Sequence, residues 1–243
     1  MRNFTLRKGF LGSKCGTRSS FKGFVMLVVV MLMMASSAMA EVIDGFRYVL
    51  DSETKTATLL PKKNGQYSGD IVVPEKVKGN DGVEYVVTVF VDRCFEDCRG
   101  LTSISIPSSV TSLGNECFKG CRGLTSVTIP SSVTSLGEYC FYDCSGLTSI
   151  TIPSSVTSLR DACFDGCSGL TSITIPSSVT SLGNSCFSHC SGLTSITIPS
   201  SVTTLGYDCF YGCRGLTSIT IPSSVTSLGN SCFSHCSGLT SIT

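Results

Sequence analysis

"SSVTSLGNSCFSHCSGLTSITIP" spans Ser177–Pro199, and its first twenty residues, Ser177–Ile196, recur letter for letter at Ser223–Ile242. Repetition of this kind asks for a period before any local assignment. Pro107, Pro130, Pro153, Pro176, Pro199 and Pro222 each stand 23 residues apart, and Cys94, Cys117, Cys140, Cys163, Cys186, Cys209 and Cys232 keep the same step. Aligned on the leucine, six full units follow one another at 101–123, 124–146, 147–169, 170–192, 193–215 and 216–238. A seventh begins at Leu239 and breaks off at Thr243. The unit reads L-T-S-I-T-I-P-S-S-V-T-S-L-G-x-x-C-F-x-x-C-x-G.

In Leu170–Pro176, Ile173 and Ile175 alternate with Ser172 and Thr174, the period of a strand with one buried face. Pro176 has no amide hydrogen and suits the strand's end. Val179 and Leu182 form a second inward segment, and Gly183 permits a turn. Cys186, Phe187 and Cys190 then fall at short helical spacing, which puts the two cysteines on one face. A single unit turns about eight of its 23 side chains inward. Each returns about 1.5–3 kcal/mol, against about 1–2 kcal/mol per residue of backbone ordering. The units are therefore stable only when stacked. The expected fold is a solenoid, mainly β with short helical turns, its parallel strands stacked at a 23-residue repeat.

Residues 1–40 hold six basic residues and no acidic one. An apolar run, Phe24–Ala35, leads into Ala38-Met39-Ala40. This is the layout of a secretory signal peptide, and the run is short of the roughly 20 residues that span a bilayer. Contact with a membrane is expected only through this segment, during export. Removal after Ala40 leaves 12 basic against 17 acidic residues, a net charge of −5, with no basic patch for nucleic acid. Residues 41–67 carry two strand-like runs, Phe46–Leu50 and Thr56–Leu60, around a polar turn, and are expected to form a β-hairpin cap over the first open edge. Residues 68–100 form a degenerate first repeat. Pro74 to Cys94 is ten residues longer than Pro107 to Cys117, and the insertion is expected around Lys78–Gly82. Residues 101–243 are the six full repeats and the partial seventh. The stop at "GLTSIT" leaves two possibilities: the chain is a piece of a longer protein, or a partner covers that edge.

The unit L-x-x-I-x-I-P-x-x-V-x-x-L-G-x-x-x-F-x-x-C resembles the BspA-type leucine-rich repeat, also called the Treponema pallidum type, over roughly 68–243. The lead-in "DGFRYVLDSETKTATLL" is similar to the N-terminal segment of Bacteroidetes members. The resemblance implies a leucine-rich-repeat solenoid on a secreted or cell-surface protein, of a kind associated with adhesion to host matrix proteins or to other bacteria. One departure stands out: the family usually carries alanine before the phenylalanine, and this chain has cysteine at all seven positions.

Fourteen of the fifteen cysteines lie in the repeats. Two buried thiol columns are the expected arrangement, since free cysteine packs as a small hydrophobe. Disulfides within or between turns, and a metal site, are the alternatives; the two histidines, His189 and His235, supply too few ligands for a closed tetrahedral site.

No G-x-S-x-G and no glycine-rich phosphate loop occurs, so neither an enzyme nor a bound cofactor or metal is expected. The expected function is a protein-binding, adhesin-like scaffold. The alternatives are a structural spacer of a longer surface protein, or an ice- or glycan-binding sheet formed by rows such as Ser172/Thr174, Ser195/Thr197 and Ser218/Thr220. Contact with a partner is expected at the two positions before each C-F pair and the two after it, which vary between units; Asn115, Glu116, Lys119 and Gly120 are the first set. Among these, Tyr139 with Tyr142 and Tyr207 with Tyr211 are the candidate partner-binding residues, about 15 Å apart at strand spacing, because exposed tyrosine is a common interface anchor.

Overall fold

The L-T-S-I-T-I-P segments become short strands, and in the four at 126–128, 149–151, 172–174 and 195–197 the central isoleucine or valine is buried between two exposed hydroxyl residues. A computed structural model describes residues 39–243, so the expected signal segment lies outside the described residues except for Met39 and Ala40. Strands are numbered along the chain. The first sheet runs β4 (Gly69–Val72), β7 (Leu101–Ser105), β9 (Ser126–Thr128), β11 (Ser149–Thr151), β12 (Ser172–Thr174) and β14 (Ser195–Thr197). All are parallel, and from β7 onward each residue pairs with the one 23 positions away, as Ile173 with Ile196. β16 (Ser218–Ile219) and β18 (Ser241–Ile242) repeat the same register. After the strand, the proline carbonyl accepts a bond from the valine amide three residues on, as Val179 N–H to Pro176 at 3.0 Å, which closes the corner.

The Ser-Leu pair that follows forms the second sheet. β8 (Ser112–Leu113) pairs with β10 (Ser135–Leu136), and β13 (Ser181–Leu182), β15 (Thr204–Leu205) and β17 (Ser227–Leu228) pair in turn. The second serine of each P-S-S corner donates its hydroxyl to the valine carbonyl one turn earlier, from Ser109 to Val87 through Ser224 to Val202, at 2.5–2.8 Å. The glycine after the leucine has a different role from the expected turn. Gly183 does not adopt a left-handed φ; a Cβ there would lie 2.6 Å from the Arg160 carbonyl carbon and the Asp161 nitrogen. Glycine is present because the two turns touch backbone to backbone.

The third side is the C-F-x-x-C segment, and here the short helical turns are not helix: the segment is a run of tight turns, with no helix among the described residues. The physical reason is backbone handedness. Glu116 (φ 56°) before the first cysteine and Gly120 (φ 71°) before the second both sit in the left-handed region, and every other turn repeats the pair. This alternation aims the N–H groups of one turn at the carbonyls of the next. Glu116, Phe118 and Gly120 donate to Glu138, Cys140 and Tyr142 at 2.7–2.8 Å. Three such bonds stitch each pair of turns without a strand. Inside, Phe95, Phe118, Phe141, Phe164, Phe187, Phe210 and Phe233 form one stacked column, with centroids 5.2–5.6 Å apart and planes within 8°.

At the N-terminal end, β1 (Glu41–Ile43), β2 (Phe46–Asp51) and β3 (Thr56–Leu60) are antiparallel, and β3 runs parallel beside β6 (Glu84–Phe90) at the head of the second sheet. β5 (Lys76–Lys78) folds back on β6, with its turn at 79–83. Phe46 stacks on Tyr67 at 5.5 Å and Tyr67 meets Phe95 at 5.0 Å, which closes the phenylalanine column from above.

Candidate functional site

The outer surface of the C-F-x-x-C side carries the variable residues, but they vary within limits. The position before the second cysteine reads Asp97, Gly120, Asp143, Gly166, His189, Gly212 and His235, and all seven have φ between 55° and 76°. Aspartate, histidine and glycine are residues that tolerate this conformation, so backbone geometry selects them. Gly120, expected to face solvent, is buried. The two histidines are thereby accounted for as left-handed turn residues.

The candidate tyrosines lie on this side in two different settings. Tyr139 and Tyr142 touch, ring centroids 5.7 Å apart at 58°, and Tyr139 is 41% exposed. Tyr207 is the more open at 58%. Tyr211, the other candidate of this turn, makes no ring contact with it among the described residues. Instead its ring stands between His189 at 5.3 Å and His235 at 4.9 Å. The second tyrosine pair is therefore an open Tyr207 beside a His–Tyr–His row. The N-terminal turns of the same side are charged: Arg93 meets Glu116 at 2.8 Å, and Lys119 bridges Glu116 at 2.6 Å and Glu96 at 3.1 Å. Hydrogen bonds from Arg93 and then Lys119 hold the Glu116 carboxyl below its usual range.

A serine, a histidine and an aspartate do converge, and their geometry argues against relay chemistry. Ser188 Oγ lies 2.9 Å from His189 Nδ1, and Asp165 Oδ1 lies 3.2 Å from the same nitrogen. A nucleophile and an orienting acid need opposite ring nitrogens. Ser188 is also buried. Burial raises the Asp165 carboxyl above its ordinary value, with the bond to His189 acting in the opposite direction.

The fourteen cysteines among the described residues are all buried and free. From Cys121 to Cys236 the second cysteine of the turn donates its thiol to a phenylalanine carbonyl 26 residues back, as Cys190 to Phe164 at 3.1 Å. Burial pushes the Cys163, Cys186 and Cys190 thiols well above the ordinary range. Since the thiolate is the reactive form, these are inert core groups. No cluster of three or more metal-ligating side chains occurs among the described residues, and they contain no helix long and apolar enough to cross a membrane.

On the first sheet, Ser172 and Thr174, Ser195 and Thr197, and their equivalents stand exposed in two columns. At the head of the sheet Asp70 accepts the hydroxyls of Thr102 and Ser103 at 2.7 and 2.6 Å.

Comparison with known proteins gives a consistent result. The family described as "BspA type Leucine rich repeat region (6 copies)" matches residues 88–214 and 160–243. A leucine rich cell surface protein from Faecalibacterium prausnitzii is 35% identical over 86% of this chain, with a TM-score of 0.73. The match covers 55% of that protein, so the present chain spans about half its length. The Treponema pallidum leucine rich repeat protein is 27% identical over 80% of this chain and 88% of its own, with a TM-score of 0.72. No curated protein matches the chain.

Proposed function

The chain belongs to the BspA-type leucine-rich repeat family, and we propose that it is an exported scaffold that attaches to a protein partner, either a host matrix protein or a protein of another bacterial surface. One observation carries the proposal: Tyr139 and Tyr207 stand open on a side whose backbone is pinned by three inter-turn bonds per turn. Rigid tyrosine presents large area at small entropic cost. Export is supported by the basic, apolar and small-residue succession in residues 1–40 and by the cell-surface description of the F. prausnitzii relative. N-terminal sequencing of the exported protein is expected to begin at Glu41; a start at Met1 removes this part of the proposal.

The binding test is a quadruple variant, Tyr139→Ser, Tyr142→Ser, Tyr207→Asn and Tyr211→Ser. Each replacement already stands at the equivalent position of another turn, at Ser185, Ser188, Asn184 and Ser234, so the fold is expected to accept it. Adhesion to immobilised matrix proteins and to bacterial cells should fall at least tenfold with an unchanged circular dichroism spectrum. Full adhesion would take the tyrosines out of the site and turn attention to the serine/threonine columns or to a spacer role.

A further inference from the structure

The second sheet is interrupted once among the described residues. Leu113 pairs with Leu136, Leu182 with Leu205 and Leu205 with Leu228. Leu159 keeps a single bridge to Leu182 and none to Leu136. The backbone bonds tell the same story. Thr134 donates to Thr111 and Gly137 to Leu113; Thr180 donates to Thr157 and Gly183 to Leu159. The corresponding bonds from Thr157 to Thr134 and from Arg160 to Leu136 are absent. On the other two sides the same pair of turns stays joined: β9 pairs with β11, and Tyr139, Phe141 and Asp143 donate to Asp161, Cys163 and Asp165.

The sequence supplies a cause. Gly114, Gly137, Gly183, Gly206 and Gly229 follow the leucine in the other repeats, and at each of them a Cβ would lie 2.3–2.6 Å from backbone atoms of the preceding turn. The third unit has Arg160 at this position. Its Cβ cannot occupy the space that glycine leaves empty, so the turn stands off. A competing cause is ruled out by another turn. The residue after this glycine normally caps the next turn: Asn115 Oδ1 accepts Glu138 N–H, and Asn184 Oδ1 accepts Tyr207 N–H. Glu138 does not cap Asp161, and this missing cap is the competing cause. Tyr207 also supplies no such cap, yet Leu205 and Leu228 remain paired and Gly229 donates to Leu205 at 2.8 Å.

We propose that Arg160 is a built-in seam: its Cβ parts the second sheet between Leu136 and Leu159, so that the turns on either side open independently along this one face. The parting is visible as a shallow groove lined by Glu138, Ser158, Leu159, Arg160, Asp161 and Ser181. The seam falls between the two tyrosine settings, with Tyr139 and Tyr142 on one side and Tyr207 and Tyr211 on the other. Opening it changes their separation, which gives the array a hinge where a partner touching both would act.

Amide hydrogen exchange on the folded chain tests the seam without any partner, and so separately from the binding proposal. Thr157 and Arg160 are expected to exchange at least tenfold faster than their equivalents Thr180 and Gly183, because they lack the inter-turn acceptors. Arg160→Gly should bring position 160 and Thr157 to the slow rate of those equivalents. Arg160→Ala, which keeps the Cβ and removes the guanidinium, should leave both fast. Equal protection of Thr157 and Thr180 in the unaltered chain would overturn the proposal, as would healing by Arg160→Ala to the same extent as by Arg160→Gly. The measurement on the unaltered chain decides even where a variant fails to fold.

Discussion

Single residues in this chain act on one another mainly across turns. Glu116 is bonded by Arg93 from the turn before and by Lys119 from its own. Its carboxyl is held below the usual range, so its contribution is present above the unfolded glutamate value of about 4.3 and is lost as the pH falls through the lower folded value. Asp165 has the opposite sign. Burial raises its carboxyl, so the folded state favours the proton and the cost of ionising it grows as the pH rises. Glu116→Gln is therefore expected to flatten the acid limb of a stability-against-pH curve measured by urea unfolding. The loss at pH 7 should be about 1 kcal/mol or less, as for other surface pairs; an unchanged acid limb would show that the pair contributes nothing. The residue scale is also where the sequence was hardest to read. Gly183 looks like a turn residue, and only the neighbouring backbone shows that it is a contact residue. By the same token Arg160 is an unremarkable surface side chain until the turn beneath it is known. The left-handed positions were more open to reading, since a column limited to aspartate, glycine and histidine is a conformational signature.

The elements of the fold are columns as much as strands. Phenylalanine, the two cysteines and the corner serine each repeat through the stack, and each column satisfies a different need: ring packing, close filling, or a buried carbonyl. The strand and its inward isoleucines were legible from alternation alone, and the burial of the cysteines from their place in that pattern. The C-F-x-x-C segment was not, because spacing of i and i+4 fits a helix and also fits this alternating turn. The cysteine columns give a direct prediction. In the native chain, a bulky maleimide added at pH 8 for minutes should label almost none of the twelve repeat thiols from Cys94 to Cys213, because burial both blocks access and suppresses the thiolate; Cys232 of the last turn, lowered by its hydrogen bond with Cys209, is left out of this expectation. After denaturation it should label close to fourteen, counted by mass spectrometry. Fast labelling between Cys94 and Cys213 in the native chain would mean that the columns open, and few labels after denaturation would mean that disulfides have formed.

For the array as a whole, the period decided the architecture, because a strict 23-residue step over six units leaves little else that could bury the repeated face. The partner was not legible in the same way, since the columns that build the solenoid are uniform and the residues that could identify a ligand are the few that interrupt the uniformity. Each turn is held to the next by a handful of backbone bonds and by one stacked ring, with the same set repeated at the next level except on the second sheet between Leu136 and Leu159. A load applied to the two ends of such a stack is carried in full by every level, and the levels yield one at a time. Each level that lets go converts about 4.8 Å of stack height into about 75 Å of free chain, at about 3.3 Å per residue. A tether built this way would lengthen in nearly equal steps and absorb a sudden pull as work, with Arg160 marking the level where the first step is cheapest.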